Sequence, residues 1–208
     1  DSDDIPWSFV PEKKVTVEDI KYVLSSYFQG TEYNCYGKHG DLSKRGMFRP
    51  IGINRNSVLE LTQLRPYVSE KYRAIEWIAL GSNAFNAFVP FYANIDKTPE
   101  YFANTTDVVS TENFYWANRL IGALADAQYA LCTSHIERYQ ASLAIDAFHV
   151  IHEYDKKLKD EKLSNVEAVK LQEEANEEIA KIAKEQTDKV LDNVLFEVSC
   201  AMKNGFSR

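Results

Sequence analysis

Residues 73–93 read RAIEWIALGSNAFNAFVPFYA, a pattern of two apolar strands separated by a polar turn. Arg73 to Leu80 is rich in Ile and Trp, which favour strands. Phe85 to Ala93 contains a continuous apolar run, which predicts a second strand buried on both faces. Pro90 cannot donate a ladder hydrogen bond, so we expect this second strand at a sheet edge or at a bulge.

Two further strand candidates precede this stretch. Met47 to Arg55 and Val58 to Arg65 alternate apolar residues on either side of Asn56-Ser57, which predicts a hairpin. Residues 47–93 would then hold four strands in sequence with no helix between them. Because parallel neighbours need a long crossover connection, this spacing predicts an antiparallel sheet.

Helical patterns lie on both sides of these strands. Residues 16–30 begin with a sequence that resembles a capping box and end at a glycine, which predicts a helix. Residues 98–205 are mainly helical in pattern, and Ser164 and Glu167 form a capping box at the start of the last helix, which carries a narrow apolar stripe. Strands followed by helices indicate an α+β fold.

The composition excludes several classes of protein. Hydrophobic residues make up 45% and charged residues 26%, which is usual for a folded globular domain. The formal net charge of −7 argues against a nucleic-acid partner, since such binding usually needs a basic face. No apolar run reaches the roughly 20 residues of a membrane-spanning helix, so we expect no membrane partner.

The three cysteines are Cys35, Cys132 and Cys200, and they form no CxxC pair. Their odd number and wide separation favour a reducing compartment, with Cys132 and Cys200 as small buried side chains. Cys132 lies among apolar residues, where a thiolate is disfavoured. Cys35 has His39 four residues on, but no pattern in this segment orients a base, so neither thiol is a predicted nucleophile.

Three arginines are candidates for binding an anion. Arg49 and Arg55 would share one face of a strand, with Arg65 on the partner strand. A guanidinium can hold a substrate carboxylate through two parallel hydrogen bonds. The alternative is that these arginines pair with acidic neighbours at the rim of the sheet, and their spacing alone favours that alternative.

Two other groups of polar residues have both a chemical and a structural interpretation. Asn83 and Asn86 could donate to an oxyanion, although Gly, Ser and Asn are also the usual residues of a turn, which is the interpretation that we favour. His149, His152 and Glu153 could bind a metal from one helix face. Their spacing is not that of the usual helical zinc pair, so a solvated face is favoured and no metal or cofactor is expected.

A family resemblance appears in the region from 48 to 125. Phe48 to Asn56 resembles a segment of the dipeptidase A family, whose relatives include the secernins. Five further segments match in the same order: Gln63 to Pro66, Arg73 to Trp77, Phe88 to Tyr92, Thr98 to Tyr101, and Tyr115-Trp116. Each match is weak alone, but six in one order with natural gaps are hard to obtain by chance.

The resemblance implies an N-terminal-nucleophile hydrolase with a two-sheet αββα sandwich. In such enzymes a cysteine at the mature amino terminus attacks the peptide carbonyl, and its own α-amino group is the base. Residue 1 is Asp, so no catalytic residue can be transferred to this chain. Residues 1–208 would be the carboxy-terminal portion of a dipeptidase domain. Arg49, Asn54 and Arg55 match the family pattern and are the expected substrate-binding residues.

Two functions remain open at this point. The chain is either the carboxy-terminal fragment of a cytoplasmic cysteine dipeptidase of broad specificity, which its start without Met favours, or a stand-alone, non-catalytic binding module with the same fold. An incomplete sandwich would leave an apolar sheet face exposed, so self-association into a homo-oligomer is expected.

Overall fold

The computed structural model describes residues 4, 6–38 and 40–203. Within them, helix α1 is followed by three strands and then by four helices. The elements are α1 (Val17–Leu24), β1 (Val58–Leu64), β2 (Ala74–Leu80), β3 (Val89–Tyr92), α2 (Glu100–Ala103), α3 (Phe114–Ala127), α4 (Tyr129–Leu158) and α5 (Asn165–Cys200), with a short 3-10 turn at Leu42–Lys44. This order confirms the predicted α+β class.

The three strands form one antiparallel sheet in the order β1-β2-β3. Trp77 in the central strand pairs with Leu61 on one side and with Pro90 on the other. Pro90 therefore lies on an edge strand of this sheet, as its missing N–H predicted. All four residues of β3 are buried, which confirms the interpretation of its continuous apolar run.

The predicted strand over residues 47–55 is wrong. This segment forms turns instead, in which the Ile53 amide donates to Ile51 and the Asn56 amide donates to Ile53, at 2.9 and 3.1 Å. Gly52 docks onto the loop after α1, and its amide donates to the Ser26 carbonyl at 2.7 Å. A side chain at Gly52 would collide with the Ser25 backbone, so the docked loop replaces the expected strand. The observed hairpin is β1–β2.

The predicted helix starts were more accurate than the predicted ends. The capping box at α5 is confirmed, since the Ser164 amide donates to Glu167 Oε2 at 2.9 Å and the Glu167 amide donates to Ser164 Oγ at 3.2 Å. Helix α1 ends at Leu24 rather than near residue 30. At the other terminus, α5 ends at Cys200, which is exposed rather than buried as predicted. Residues 204 and 205, where the helix was expected to stop, lie outside the described residues.

One face of the sheet packs against the two long helices. Its buried residues are Leu59, Ile75, Trp77, Ala79 and Tyr92. Helices α4 and α5 pack along each other and both contact β3. The buried side of α5 is wider than the predicted stripe and includes polar residues, among them Asn176. Among the described residues, no helix combines the length and apolar character that crossing a bilayer requires.

The opposite face of the sheet is partly open. At its β3 side, Phe91 packs against Phe102 of α2, with ring centroids 4.7 Å apart. Over β1, however, Val58 and Leu64 are 51% and 67% exposed. The described residues thus provide one sheet with its long helices on one face, and the αββα sandwich stays a prediction.

Candidate binding site at one end of the sheet

The candidate site lies where β2 ends and β1 begins. After Leu80 the chain turns at Gly81, whose φ of 85° lies in the left-handed region that favours glycine. A side chain there would also press on the backbone of Asn118 in α3, at 3.2 Å. The turn therefore lies directly against α3, and α1 with the loop that follows it packs on the other side.

Asn54 is the one predicted binding residue that the structure brings into a polar cluster. Its Nδ2 donates to Asp126 Oδ1 at 3.3 Å, and the Tyr36 hydroxyl donates to the same carboxylate oxygen. The Asn54 carbonyl accepts from Arg119 Nη1 at 3.2 Å. Helix α3 thus fixes both the backbone and the side chain of Asn54 through Arg119 and Asp126, neither of which the sequence patterns indicated.

Arg49 and Arg55 lie on the docked loop and are exposed. Within the described part of the chain, neither guanidinium makes a hydrogen bond or an ion pair. Because the loop is not a strand, the two residues do not share a sheet face, and that expectation was wrong. Both side chains are free to meet a solute from the surrounding water.

Arg65 has a structural role. It pairs with an acidic side chain, which is the alternative that its spacing favoured. It is 6% exposed, and its Nη1 and Nη2 donate to the two carboxylate oxygens of Asp155 at 2.5 and 3.1 Å. The Tyr92 hydroxyl donates to Asp155 at 2.8 Å, and Arg65 Nη2 also donates to the Tyr72 carbonyl at 2.7 Å. This bidentate pair ties the end of β1 to α4, away from Asn54.

Asn83 and Asn86 are buried and use their amide donors inside the protein. Asn83 Nδ2 donates to the Leu24 carbonyl at 3.4 Å, and Asn86 Nδ2 donates to the Gly81 carbonyl at 3.2 Å. This arrangement supports the turn interpretation over the oxyanion interpretation. The two residues fix the turn after β2 and connect it to the end of α1.

Lys21 is the main residue that the sequence interpretation missed. Its Nζ donates to the Asn83 carbonyl at 2.9 Å and to Asn86 Oδ1 at 2.6 Å, and lies 5.5 Å from the centroid of the Phe88 ring. Burial lowers the pKa of Lys21 to about 7. The sequence did contain a signal for Lys21. This residue lies four positions after Val17, and residues four apart lie on the same side of a helix, here the inward side of α1.

A cavity of about 390 Å³ opens beside Lys21, between α1, the turn after β2, and α4. Aromatic and aliphatic groups form most of the surface of its wall. The wall includes Tyr27, Trp77, Phe85, Phe88, Tyr129 and Ile136, with Lys21, Glu18 and Glu137 as charged members. An apolar concavity with a few convergent polar groups is the usual form of a small-ligand site.

Three tyrosines connect this cavity with the cluster around Asn54. Tyr36 and Tyr129 stack with ring centroids 4.3 Å apart, and the hydroxyls of Tyr27 and Tyr129 lie 2.7 Å from each other. Burial raises the pKa of Tyr27 and of Tyr36, and their hydrogen bonds to Tyr129 and Asp126 raise it further. The Tyr27 and Tyr36 phenols are therefore neutral at physiological pH. Tyr27 and Tyr129 belong to the cavity wall, and Tyr36 connects this wall to the cluster that holds Asn54.

The other candidate residues do not form a reactive centre. His149 and His152 are exposed and Glu153 pairs with Lys156 at 2.6 Å, as in the solvated-face interpretation. No group of three or more potential metal ligands occurs among the described residues.

Two of the three thiols, those of Cys35 and Cys132, lie in surroundings that disfavour the thiolate form, because burial raises the pKa of each. The possible partner of Cys35, His39, lies outside the described residues.

Comparison with known proteins identifies the class. The model of peptidase family C69 matches residues 1–142, which is more than half of the chain, and the chain therefore belongs to this family. It is similar to a protein named dipeptidase from Bifidobacterium longum, with 42% identity over 99% of the chain and 45% of that protein. It is also 41% identical, over 98% of the chain and 42% of the other protein, to a probable dipeptidase A from Streptococcus pyogenes serotype M18.

A third relative, dipeptidase A of Lactobacillus helveticus, is 33% identical over 75% of this chain and 33% of its own length. The chain thus spans less than half the length of these relatives. The matches confirm the resemblance drawn from the ordered motifs. The family match ends inside α4, while the two more similar relatives extend through almost all of α5.

Proposed function

We propose that the whole protein is a cytoplasmic cysteine dipeptidase of broad specificity and that this chain contributes part of its substrate-binding region. The observation that carries the proposal is an identity of 41–42% to proteins named as dipeptidases, across 98–99% of the chain. Such an enzyme hydrolyses the single peptide bond of a dipeptide.

The nucleophile in this proposal is a cysteine outside the 208 residues of this chain. Nucleophilic attack needs a thiolate, and the surroundings of Cys35 and Cys132 disfavour that form. The relatives are more than twice as long as this chain, which leaves ample sequence for a catalytic segment. The three cysteines are free thiols, as is usual for a protein of the reducing cytoplasm.

In this proposal, the substrate is contacted by Asn54 and attracted by Arg49 and Arg55. Asn54 is held in place by Asp126 and Arg119, so its amide is oriented before any ligand arrives. The exposed guanidiniums of Arg49 and Arg55 attract the carboxylate of a dipeptide as it approaches, in a protein whose net charge is otherwise negative.

The test is an assay of the full native protein for Leu-Leu hydrolysis, with and without a thiol-blocking reagent. We expect activity that the reagent abolishes. Asn54→Ala and Arg55→Ala should each lower kcat/KM by about tenfold or more, since each removes a hydrogen bond or a charge used by the substrate. Arg138→Ala, an exposed position on α4, is the matched control and should leave kcat/KM unchanged. Absence of hydrolysis, or hydrolysis that resists the reagent, would contradict the proposal.

The second candidate function is that of a non-catalytic binding module. The observation that favours it is the partly open sheet face, where Val58 and Leu64 are exposed. A native protein that hydrolyses no dipeptide but associates with another chain through this face would support the module instead of the enzyme.

A further inference from the structure

The cavity beside α1 combines an apolar wall with a lysine whose charge has no counterion. Lys21 forms no ion pair with any described carboxylate, and its two hydrogen bonds go to uncharged oxygens of Asn83 and Asn86. An ammonium group has three N–H donors, so one donor remains after these two bonds. A desolvated cation with a spare donor is costly in the empty protein and favourable beside an anion.

Two other charged residues at the cavity restrict the kinds of ligand that it can bind. Glu18 and Glu137 also line it, and the Glu137 charge acts on the Tyr27 hydroxyl in the same wall. A fatty acid or a phosphate could place its anionic group at Lys21, but neither ligand supplies a positive charge for these two carboxylates. A zwitterion would place its negative group at Lys21 and its positive group toward the acidic side.

The size and the surface of the cavity further restrict the choice. Its volume of about 390 Å³ is at the small end of the range for organic ligands. Tyr27, Phe85, Phe88 and Ile136 offer apolar and aromatic contact, which suits a ligand with an apolar side chain.

We propose that this cavity binds an apolar dipeptide, with its carboxylate on the free donor of Lys21, its carboxy-terminal side chain against the aromatic wall and its α-ammonium group toward Glu18 and Glu137. The proposal rests on the proposed function for the identity of the ligand, and it assigns Lys21 as a specificity-determining residue. The cavity then selects for a free carboxy terminus and for apolar side chains, while Asn54 lies beyond the tyrosine wall.

The experiment measures binding without turnover in the full native protein. The probe is a Leu-Leu analogue with a reduced peptide bond, compared with its carboxamide, and binding is measured by calorimetry near pH 6.5. The wild type should bind the carboxylate form more tightly than the amide. Lys21→Met should weaken binding of the carboxylate form by about 10- to 100-fold and leave the amide unchanged, because a hydrogen bond to a charged group is lost. The control Lys170→Met, on the exposed side of α5, should change neither.

A second variant keeps the proposal testable if Lys21→Met does not fold. Ala144 lines the cavity from α4, and Ala144→Leu fills part of the space while Lys21 remains. It should weaken both probes to a similar extent. Unchanged affinity in Ala144→Leu, or equal loss of both probes in Lys21→Met, overturns the proposal.

The outcomes also separate the two proposals. If Leu-Leu is hydrolysed but the affinity does not depend on Lys21, the cavity proposal alone fails. If Leu-Leu is not hydrolysed but the analogue binds in a Lys21-dependent way, the cavity proposal stands and the dipeptidase proposal fails.

Discussion

Arg65 and Arg73 lie at the two ends of the connection between β1 and β2, and their surroundings give them different roles. Arg65 is buried and forms a bidentate pair with Asp155. Arg73 pairs with Glu70 at 2.8 Å, but 36% of the Arg73 side chain and 89% of the Glu70 side chain are exposed. Breaking a buried pair leaves an uncompensated charge, whereas an exposed pair is screened by water.

Arg65→Met should therefore lower the free energy of unfolding by about 3–5 kcal/mol, because the Asp155 carboxylate, whose side chain is only 18% exposed, loses its cation. Arg73→Met should change it by less than about 0.5 kcal/mol. Both values come from urea unfolding of this chain, followed by circular dichroism. Equal effects of the two substitutions would mean that the Arg65 pair contributes no more than a surface contact.

Lys21 makes the stability of the chain depend on pH. Burial lowers its folded-state pKa from 10.5 to about 7, so between these values the unfolded chain binds more protons than the folded chain. The free energy of unfolding therefore rises with pH through this window, and the cost of burying the charge is fully present below pH 7. The ionisable groups around the same cavity are Glu18 and Tyr22 from α1, Tyr27 from the next loop, and Tyr129 and Glu137 from α4.

Comparison with Lys21→Met isolates the contribution of this lysine, because the other groups are the same in both proteins. From about pH 6 to about pH 9, the wild type should gain about 1–3 kcal/mol relative to the variant. Chemical unfolding at a series of pH values measures the difference. A difference that stays constant across the series would show that Lys21 titrates as it does in water.

At the scale of elements, sequence signals that act locally gave correct predictions. The capping box at Ser164 depends on contacts within one helical turn. The continuous apolar run predicted a strand from Phe85 to Ala93, and the observed strand is the shorter segment Val89–Tyr92 within it. The predicted strand at 47–55 was wrong because its conformation depends on a distant contact. Gly52 docks against Ser25, and no local pattern reveals a partner 27 residues away.

Helix α5 also protects the edge strand of the sheet. Asn176 Oδ1 accepts from the Tyr92 amide at 2.9 Å, and Asn176 Nδ2 donates to the Tyr92 carbonyl at 3.0 Å. The side-chain amide thus makes the two hydrogen bonds that a neighbouring strand would make. Covering an edge in this way satisfies its buried backbone groups and prevents pairing with another chain.

Asn176→Ala should lower the free energy of unfolding by about 2–4 kcal/mol, because two buried backbone groups of Tyr92 lose their partners. Asn193→Ala, at a partly exposed position of the same helix, is the control and should cost about 0.5 kcal/mol or less. Urea unfolding gives both values, and hydrogen exchange of the Tyr92 amide should accelerate only in Asn176→Ala. An unchanged exchange rate would show that this amide is protected by another group.

At the scale of the whole molecule, the candidate site could be predicted only in part. The family motif predicted Asn54, Arg49 and Arg55 as substrate-binding residues, and that role stays a prediction. The structure places Asn54 in a polar cluster with Asp126, and Arg49 and Arg55 on the exposed loop. Lys21 enters the region because α1 packs on the turn after β2, and Asp126 enters it because α3 contacts the loop that contains Asn54. Such a site is assembled from distant segments, so spacing within any one segment does not reveal it.

The remaining prediction concerns self-association through the open face of the sheet. Val58 and Leu64 are 51% and 67% exposed on the side of β1 that the long helices do not cover. Val58 lies opposite Leu80 of β2 and Leu64 lies opposite Ala74, so each end of the open face carries an apolar patch. An apolar surface of this kind is stabilised when a partner covers it. We expect this chain, when produced alone, to self-associate, and Val58→Lys with Leu64→Glu to make it monomeric. Light scattering at moderate concentration measures both.

The matched control places the same two changes in charge away from the sheet, as Val166→Lys with Leu195→Glu on exposed positions of α5. This control should associate as the unchanged chain does, because both variants add one positive and one negative side chain and leave the net charge unchanged, while only one alters the open face. A monomeric unchanged chain would rule out self-association, and dissociation in both variants would show that the association does not depend on this face.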